Sequence, residues 1–282
     1  MKLMPQQVAV ITGGASGIGL ALAQALGRRG LHLALLDIEA PALEAAAESL
    51  RAEGISVAAL ACDVGDAETM NAVAAEVLSR HGHVDLLVNN AGVGGSLGPL
   101  RFSTPQDWQW VVNVNLFGVV NGLRAFLPAM QAASDGQGSG HIVNIASVAG
   151  LTAPPFLSLY IATKHAVMGL SESLAAELAI TSPGLRLSVV CPGAVETAIM
   201  RSERNRPAAL KVTPQTPPAL LARLQETFGK LMADPMPADT LARIVLAGIE
   251  ADAPLILTHA ETAPDVLARI ERIAAVARDA AA

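Results

Sequence analysis

The stretch SLYIATKHAVMGL, Ser158 to Leu170, carries the only tyrosine of the chain, Tyr160, and Lys164 four residues later. On a helix that spacing places the phenol and the ammonium on one face. A free tyrosine titrates near pH ~10, too high for a base at neutral pH, and a nearby cation favours its phenolate. The pair reads either as a core aromatic with its hydroxyl at the surface or as an acid–base group tuned by the lysine. Lys164 is the only lysine between Lys2 and Lys211, which favours chemistry. His165, its neighbour, points elsewhere on the helix and reads as a satisfied polar residue.

A second group of residues suits a dinucleotide. VAVITGGASGIGLALAQAL sets glycines at 13, 14, 17 and 19 between a strand-like run and a helical one. Glycines there permit a tight turn and let backbone amides approach a pyrophosphate at a helix N-terminus. Gly13, Ser16, Gly17, Ile18 and Gly19 are the expected cradle. Asp37 closes the next strand-like run, where a carboxylate accepts bonds from ribose hydroxyls and repels a 2′-phosphate. Neither Ala15, Ser16 nor Ile38 offers a compensating positive charge, so NAD is expected rather than NADP.

These groups need a scaffold, and the apolar runs supply one. VAVITG, LHLALLD, ISVAALACD, VDLLVNNAG, HIVNIAS, LRLSVVCPG and PLILT are continuous rather than alternating, as in parallel strands covered on both faces. Amphipathic stretches separate them, with Pro41 suited to a first helical turn and Gly30 and Gly54 to helix ends. The expected fold is α/β: a single doubly wound domain over residues 1–282, with a mostly parallel seven-stranded sheet and helices on both faces. SDGQGSG (134–140) reads as a surface connection. The rhythm breaks at 192–237, a proline-rich insertion expected to be a substrate lid, whose cluster RSERNR (201–206) reads as solvated surface. Residues 259–282 are expected to form a C-terminal tail helix.

Composition excludes several classes. With 282 residues, 52% hydrophobic and 16% charged, the chain can bury a large core. A net charge of −6 without a basic run argues against nucleic acid as a partner. Cys62 and Cys191 lie far apart, in no metal-ligand spacing, and read as buried thiols of a reducing compartment. No metal site is expected. The uncharged run 142–163 contains Asn144, Gly150, Pro154 and Pro155, so it reads as strand, loop and helix start, and no membrane association is expected. With no signal-peptide pattern visible at the start, a cytoplasmic location is expected.

Seven pieces together, TGGASGIG (12–19), CDV (62–64), NNAG (89–92), NVNLFG (113–118), IVNIASVAG (142–150), YIATK (160–164) and CPGAVET (191–197), resemble the compact branch of the short-chain dehydrogenase/reductase family. The resemblance is strong over roughly residues 8–200 and weak beyond. It implies a Rossmann-type fold, hydride transfer between carbon and nicotinamide, and a homotetramer or homodimer. It implies that Tyr160 is the general acid/base, Lys164 its partner, and Ser147 the holder of the substrate oxygen. Asn115 then maintains a water link to the lysine, although Asn113 is a rival for that place. Asp63 and Val64 flank the adenine, Asn90 lines the cleft, and Val195 and Thr197 contact the nicotinamide amide.

The expected pocket walls are apolar: GVGGSLGPL, LTAPPF with Phe156, Ile199 and Met200, closed over by Phe228, Leu231 and Met232. A hydrophobic or aromatic secondary alcohol or ketone is the expected substrate. The competing readings are a non-catalytic NAD-sensing or scaffold protein on this fold, and dehydration or epimerisation of nucleotide sugars.

Overall fold

A computed structural model describes residues 1–231 and 233–281. Seven strands form one sheet in the order β3-β2-β1-β4-β5-β6-β7, every neighbouring pair parallel. They are β1 (Val8–Thr12), β2 (His32–Asp37), β3 (Val57–Ala61), β4 (Leu86–Asn89), β5 (Gly140–Ile145), β6 (Leu185–Cys191) and β7 (Leu255–Leu257). The chain winds outward from β1 to β3, then returns to place β4 on the other side of β1. That reversal opens a crevice at the C-terminal ends of β1 and β4.

The apolar runs are continuous because both faces are covered, and alternate residues serve opposite layers. Val8 and Val10 join the layer beneath α3 (Ala67–His81), α5 (Gly118–Ala132) and α6 (Ser158–Thr181). Ala9 and Ile11 join the layer beneath α1 (Gly17–Gly27), α2 (Ala40–Ala52) and α8 (Ala238–Glu250). Pro41 sits in the first turn of α2, and Gly30 and Gly54 follow their helices with φ of 85° and 80°.

Between α4 (Pro105–Val112) and α5 the helix widens into a π-turn, Asn113–Phe117. The whole helical run 105–132 is long and apolar enough by composition to cross a bilayer, yet half of its most apolar window is buried within the protein. It packs on α3, α6 and β4, as a core helix does. The run 142–163 is β5, a loop and the start of α6, as its prolines require.

The insertion begins and ends at one point. Val195 bridges Met236, Met236 N–H donates to the Ala194 carbonyl at 2.9 Å, and Glu196 N–H to the Met236 carbonyl at 3.0 Å. The chain between them carries a 3-10 stretch, Ile199–Asn205, and α7 (Pro218–Leu231). Leu224 of α7 is buried, and Phe228 is half-buried. Met232 lies outside the described residues. The tail forms α9 (Ala263–Ala281), which buries Val266 and exposes Leu267, Ile270, Ile273 and Val276.

Within β5, His141 is fully buried, with Nε2 2.8 Å from the Ser188 hydroxyl. Burial pushes its pKa down to about 4, assisted by the N-terminal ammonium and Arg186 and opposed by Asp252. The unfolded chain therefore binds a proton below pH ~6.5 that the native state refuses. Stability is intact above that value and is lost as pH falls toward 4, by up to about 3 kcal/mol. Urea midpoints measured between pH 7 and 4.5 should drop, and His141→Gln should flatten that drop. An equally steep fall in the variant removes His141 as its source.

Candidate active site and dinucleotide cleft

The glycine turn follows β1 directly. Gly13 and Gly17 hold φ of 65° and 53°, the left-handed region that side chains resist. A Cβ on Gly19 would run into the Gly13 carbonyl, so the turn closes only with glycine there. Ser16 is the N-cap of α1, but its side chain takes no cap bond, and the first turn contains no acidic residue. The first amides, those of Gly17, Ile18 and Gly19, thus face the crevice with the positive end of the helix behind them. This is a cradle that fits a pyrophosphate.

Three side chains fix the cradle. Asn90 Nδ2 donates to the Thr12 and Gly13 carbonyls at 2.8 and 3.2 Å, tying the turn to β4. Asp37 accepts from Ala15 N–H and Glu39 N–H, both at 3.0 Å, which holds its carboxylate over the turn at the end of β2. Thr197 packs its methyl on Gly17, where an added Cβ would stand 3.0 Å away. Asp63 accepts from Gly65 N–H at 2.9 Å, and Val64 is buried beside it. Val195 is buried at the base of the insertion.

The proton-handling residues converge at the ends of β5 and β6. Ser147 follows β5, accepts from Ala149 N–H at 3.1 Å and donates to the Pro192 carbonyl at 3.3 Å. The first turn of α6 presents Tyr160 toward Ser147, near enough for the serine hydroxyl to act on the phenol. Lys164, one turn on, is buried; its Nζ donates to the Ile145 carbonyl at 2.9 Å and stands 5.6 Å from the centre of the Tyr160 ring. His165 turns away and bonds the Ile161 carbonyl at 3.0 Å, as expected of a satisfied polar residue.

One electrostatic expectation is corrected. In the protein by itself, burial pushes the Tyr160 phenol above its ordinary value, with the Ser147 hydroxyl pulling it partly back. Burial also pushes Lys164 down, to about 8. Its ammonium has one donor engaged by the Ile145 carbonyl.

Asn115, not Asn113, is the inward residue of the π-turn and is fully buried. Its Oδ1 accepts from Val93 N–H at 2.8 Å, while Nδ2 donates to the Val93 carbonyl at 2.9 Å and to Thr163 Oγ1 at 3.2 Å. It therefore clamps the loop after β4. It is also near the lysine: a Cβ on Gly92 would lie 3.4 Å from Asn115 Oδ1 and 3.7 Å from Lys164 Nζ.

Three features escaped the sequence reading. A buried chain runs from Asn89 Nδ2 to Asn144 Oδ1, and from Asn144 Nδ2 to Ser171, each at 2.9 Å, locking β4, β5 and α6 beneath the site. His259, after β7, accepts from Gly193 N–H at 3.0 Å and holds the Ala194 carbonyl at 2.9 Å, setting the turn that leads to Val195 and Thr197. The cluster 201–206 is not a solvated surface throughout: Arg206 is buried against Asp107 and Trp110.

The His259 contacts make a prediction. His259→Ala strands two backbone groups in a half-buried turn and is expected to lower unfolding free energy by about 1 kcal/mol. Urea denaturation measures this, and an unchanged midpoint refutes the positioning role.

The short chain dehydrogenase family profile matches residues 7–208. The chain belongs to the short-chain dehydrogenase/reductase family. Among curated relatives, it is 30% identical over 275 residues to the CLA biosynthesis dehydrogenase/reductase of Lactiplantibacillus plantarum, covering 97% of this chain and 95% of that one. It is 39% identical to the 2-(R)-hydroxypropyl-CoM dehydrogenase of Xanthobacter autotrophicus over 204 residues, 71% of this chain and 79% of the relative. A solved short chain dehydrogenase/reductase from Burkholderia phymatum, in complex with NAD, superposes with a TM-score of 0.91 at 37% identity, covering 97% and 96% of the two chains. The protein is thus an oxidoreductase of the short-chain dehydrogenase/reductase family on a Rossmann-type fold, and the match extends through the insertion and the tail.

Among the described residues, no group of His, Cys, Asp and Glu is placed to hold a metal. Cys62 and Cys191 are free and buried, their thiols pushed up by burial to about 12 and about 11. Neither is set up as a nucleophile at neutral pH.

Proposed function

We propose that the protein is an NAD-dependent alcohol dehydrogenase or carbonyl reductase acting on a hydrophobic or aromatic secondary alcohol or ketone. The observation that carries this is the convergence of Ser147, Tyr160 and Lys164 at the C-terminal ends of the strands, beside a glycine cradle closed by Asp37. When bound, the nicotinamide supplies or accepts the hydride at the substrate carbon. Tyr160 holds the proton that moves to or from the substrate oxygen. Ser147 donates to that oxygen and stabilises its developing charge. Lys164 keeps positive potential beneath the phenol, and Asn115 keeps the β4 loop in register with α6.

The apolar walls support the substrate class. Leu151 and Ile199 are half-buried, while Phe156 and Met200 stand exposed at 37% and 58%. Phe156 holds φ of 70°, and its carbonyl accepts from Gly98 N–H at 3.0 Å, joining the loop after β4 to the one after Ser147. Backbone strain in a non-glycine residue at a binding mouth is consistent with a wall that must stand in one place. The insertion acts as the lid over this mouth, the protein works in the cytoplasm, and it assembles as a homotetramer or homodimer.

An absorbance screen at 340 nm over hydrophobic alcohols and ketones tests the activity. NADH should bind at least about tenfold tighter than NADPH, because Asp37 meets the 2′-phosphate with like charge. Comparable affinities would remove the role given to Asp37. No turnover across the panel by a protein that binds NADH would favour a sensing or scaffold role.

A further inference from the structure

Past the Asp37 carboxylate, the cleft runs into a recess of about 370 Å³, within the ~300–1,000 Å³ range of small-ligand pockets. Its inner wall is Ile38, Asp63 and Val114, the place where the adenine end of a dinucleotide lies if the glycine cradle holds its pyrophosphate. Its outer wall is contributed by the insertion, through Asn205, Pro207 and Leu210. We infer that residues 199–210 clasp the adenosine end of the cofactor, with Glu39, Arg204 and Asn205 as a latch and Arg206 as a fixed anchor. This rests on the reading of the cleft as an NAD site.

The two attachments differ in kind. Arg206 Nη2 bonds Asp107 at 2.8 Å, its guanidinium lies 4.3 Å from the centre of the Trp110 ring, and the Arg206 and Asp107 side chains are 3% and 5% exposed. Water cannot compete there, so Arg206 stays on α4. Two residues earlier, Arg204 reaches Glu39 through Nε at 3.2 Å and Nη2 at 2.5 Å, and Asn205 Nδ2 adds a bond at 2.8 Å. Glu39 stands two residues beyond Asp37, so the latch crosses the mouth of the cleft beside the ribose site. Its ion pair is 40% and 29% exposed, a setting in which salt and water weaken it. A closed latch blocks the adenosine end from leaving, and an open one releases it while the anchor holds.

The segment therefore acts on cofactor exchange as well as on substrate closure. NADH release from the full-length protein, followed as loss of its fluorescence in a stopped-flow instrument, tests this. Glu39→Gln and Arg204→Ala are each expected to speed release about fivefold, and added salt should move the wild-type protein toward the same rate. Glu39→Arg combined with Arg204→Glu should slow release again toward the wild-type value, which a folding defect could not do. Unchanged release in both single variants, or a change confined to the substrate KM, overturns the clasp. If the wild-type protein binds NADPH in place of NADH, the cofactor reading fails and the same release comparison with NADPH decides the clasp. If it binds neither, both readings fall.

Discussion

Tyr160→Phe is expected to lower turnover by about 10²–10⁴-fold while NADH affinity stays within about twofold. The substitution deletes one oxygen and keeps the ring, so the packing on α6 and the cation beneath it survive. What disappears is the phenolic proton, the one that would move to or from the substrate oxygen. The pH dependence sharpens the test. Because burial holds the phenol above its ordinary value, the protonated form dominates at neutral pH and suits carbonyl reduction. Alcohol oxidation requires the phenolate, so its rate should climb from pH 7 to 9, whereas the reductive rate should not. In Tyr160→Phe the residual oxidation should lose that climb. A variant with wild-type turnover ends the assignment, and one that also loses NADH points to misfolding, which circular dichroism and a urea midpoint separate from lost chemistry.

Arg206→Met is expected to cost about 3–5 kcal/mol of stability, the loss that follows when one partner of a buried pair is removed. Asp107 is the reason for so large an effect. One of its oxygens receives the Arg206 guanidinium, while the other closes the capping box of α4, accepting from Thr104 N–H and Thr104 Oγ1 at 2.8 Å each. Taking the arginine away leaves a carboxylate sealed from water. Arg206→Met combined with Asp107→Asn should recover much of the loss, since the amide retains an acceptor for the cap and carries no charge. Thermal or urea unfolding of the two proteins measures both effects. A double variant no more stable than the single one shows that packing on Trp110, and not the stranded charge, sets the cost.

The strands were readable because each is apolar on both faces, so no alternation had to be resolved. The cradle and the Tyr160–Lys164 pair were readable for a different reason: their members are neighbours along the chain, and a helix or a turn converts that spacing into geometry. Arg206 belongs to the opposite case. Its buried partner Asp107 lies 99 residues away, and nothing in RSERNR distinguishes the arginine that goes inside from those that stay out. His259 is hidden in the same way, a lone histidine whose turn is 65 residues upstream. The direction of the Tyr160 shift depends on how much solvent the finished fold removes and on where the Lys164 ammonium turns, and neither is a local property of the sequence. In NVNLF the resemblance singled out Asn115, the asparagine that the fold buries, but the apolar pattern does not separate a π-turn from an ordinary one.

That π-turn separates two tasks that a regular helix could not perform together. Upstream, Asp107 and Trp110 must face the insertion to receive Arg206. Downstream, Asn121 must face the loop after β3, where its Nδ2 donates to the Val64 carbonyl at 2.8 Å, and Phe126 must face the sheet. The surplus residue works as a phase shifter between these two halves. Winding the same residues as uniform α-helix, with i→i+4 bonds in place of the i→i+5 bonds of 113–117, would rotate one half against the other by about 100°. Either the anchor for the insertion or the support for the loop after β3 would then point into the wrong layer, so the wide turn is what lets this sequence keep both.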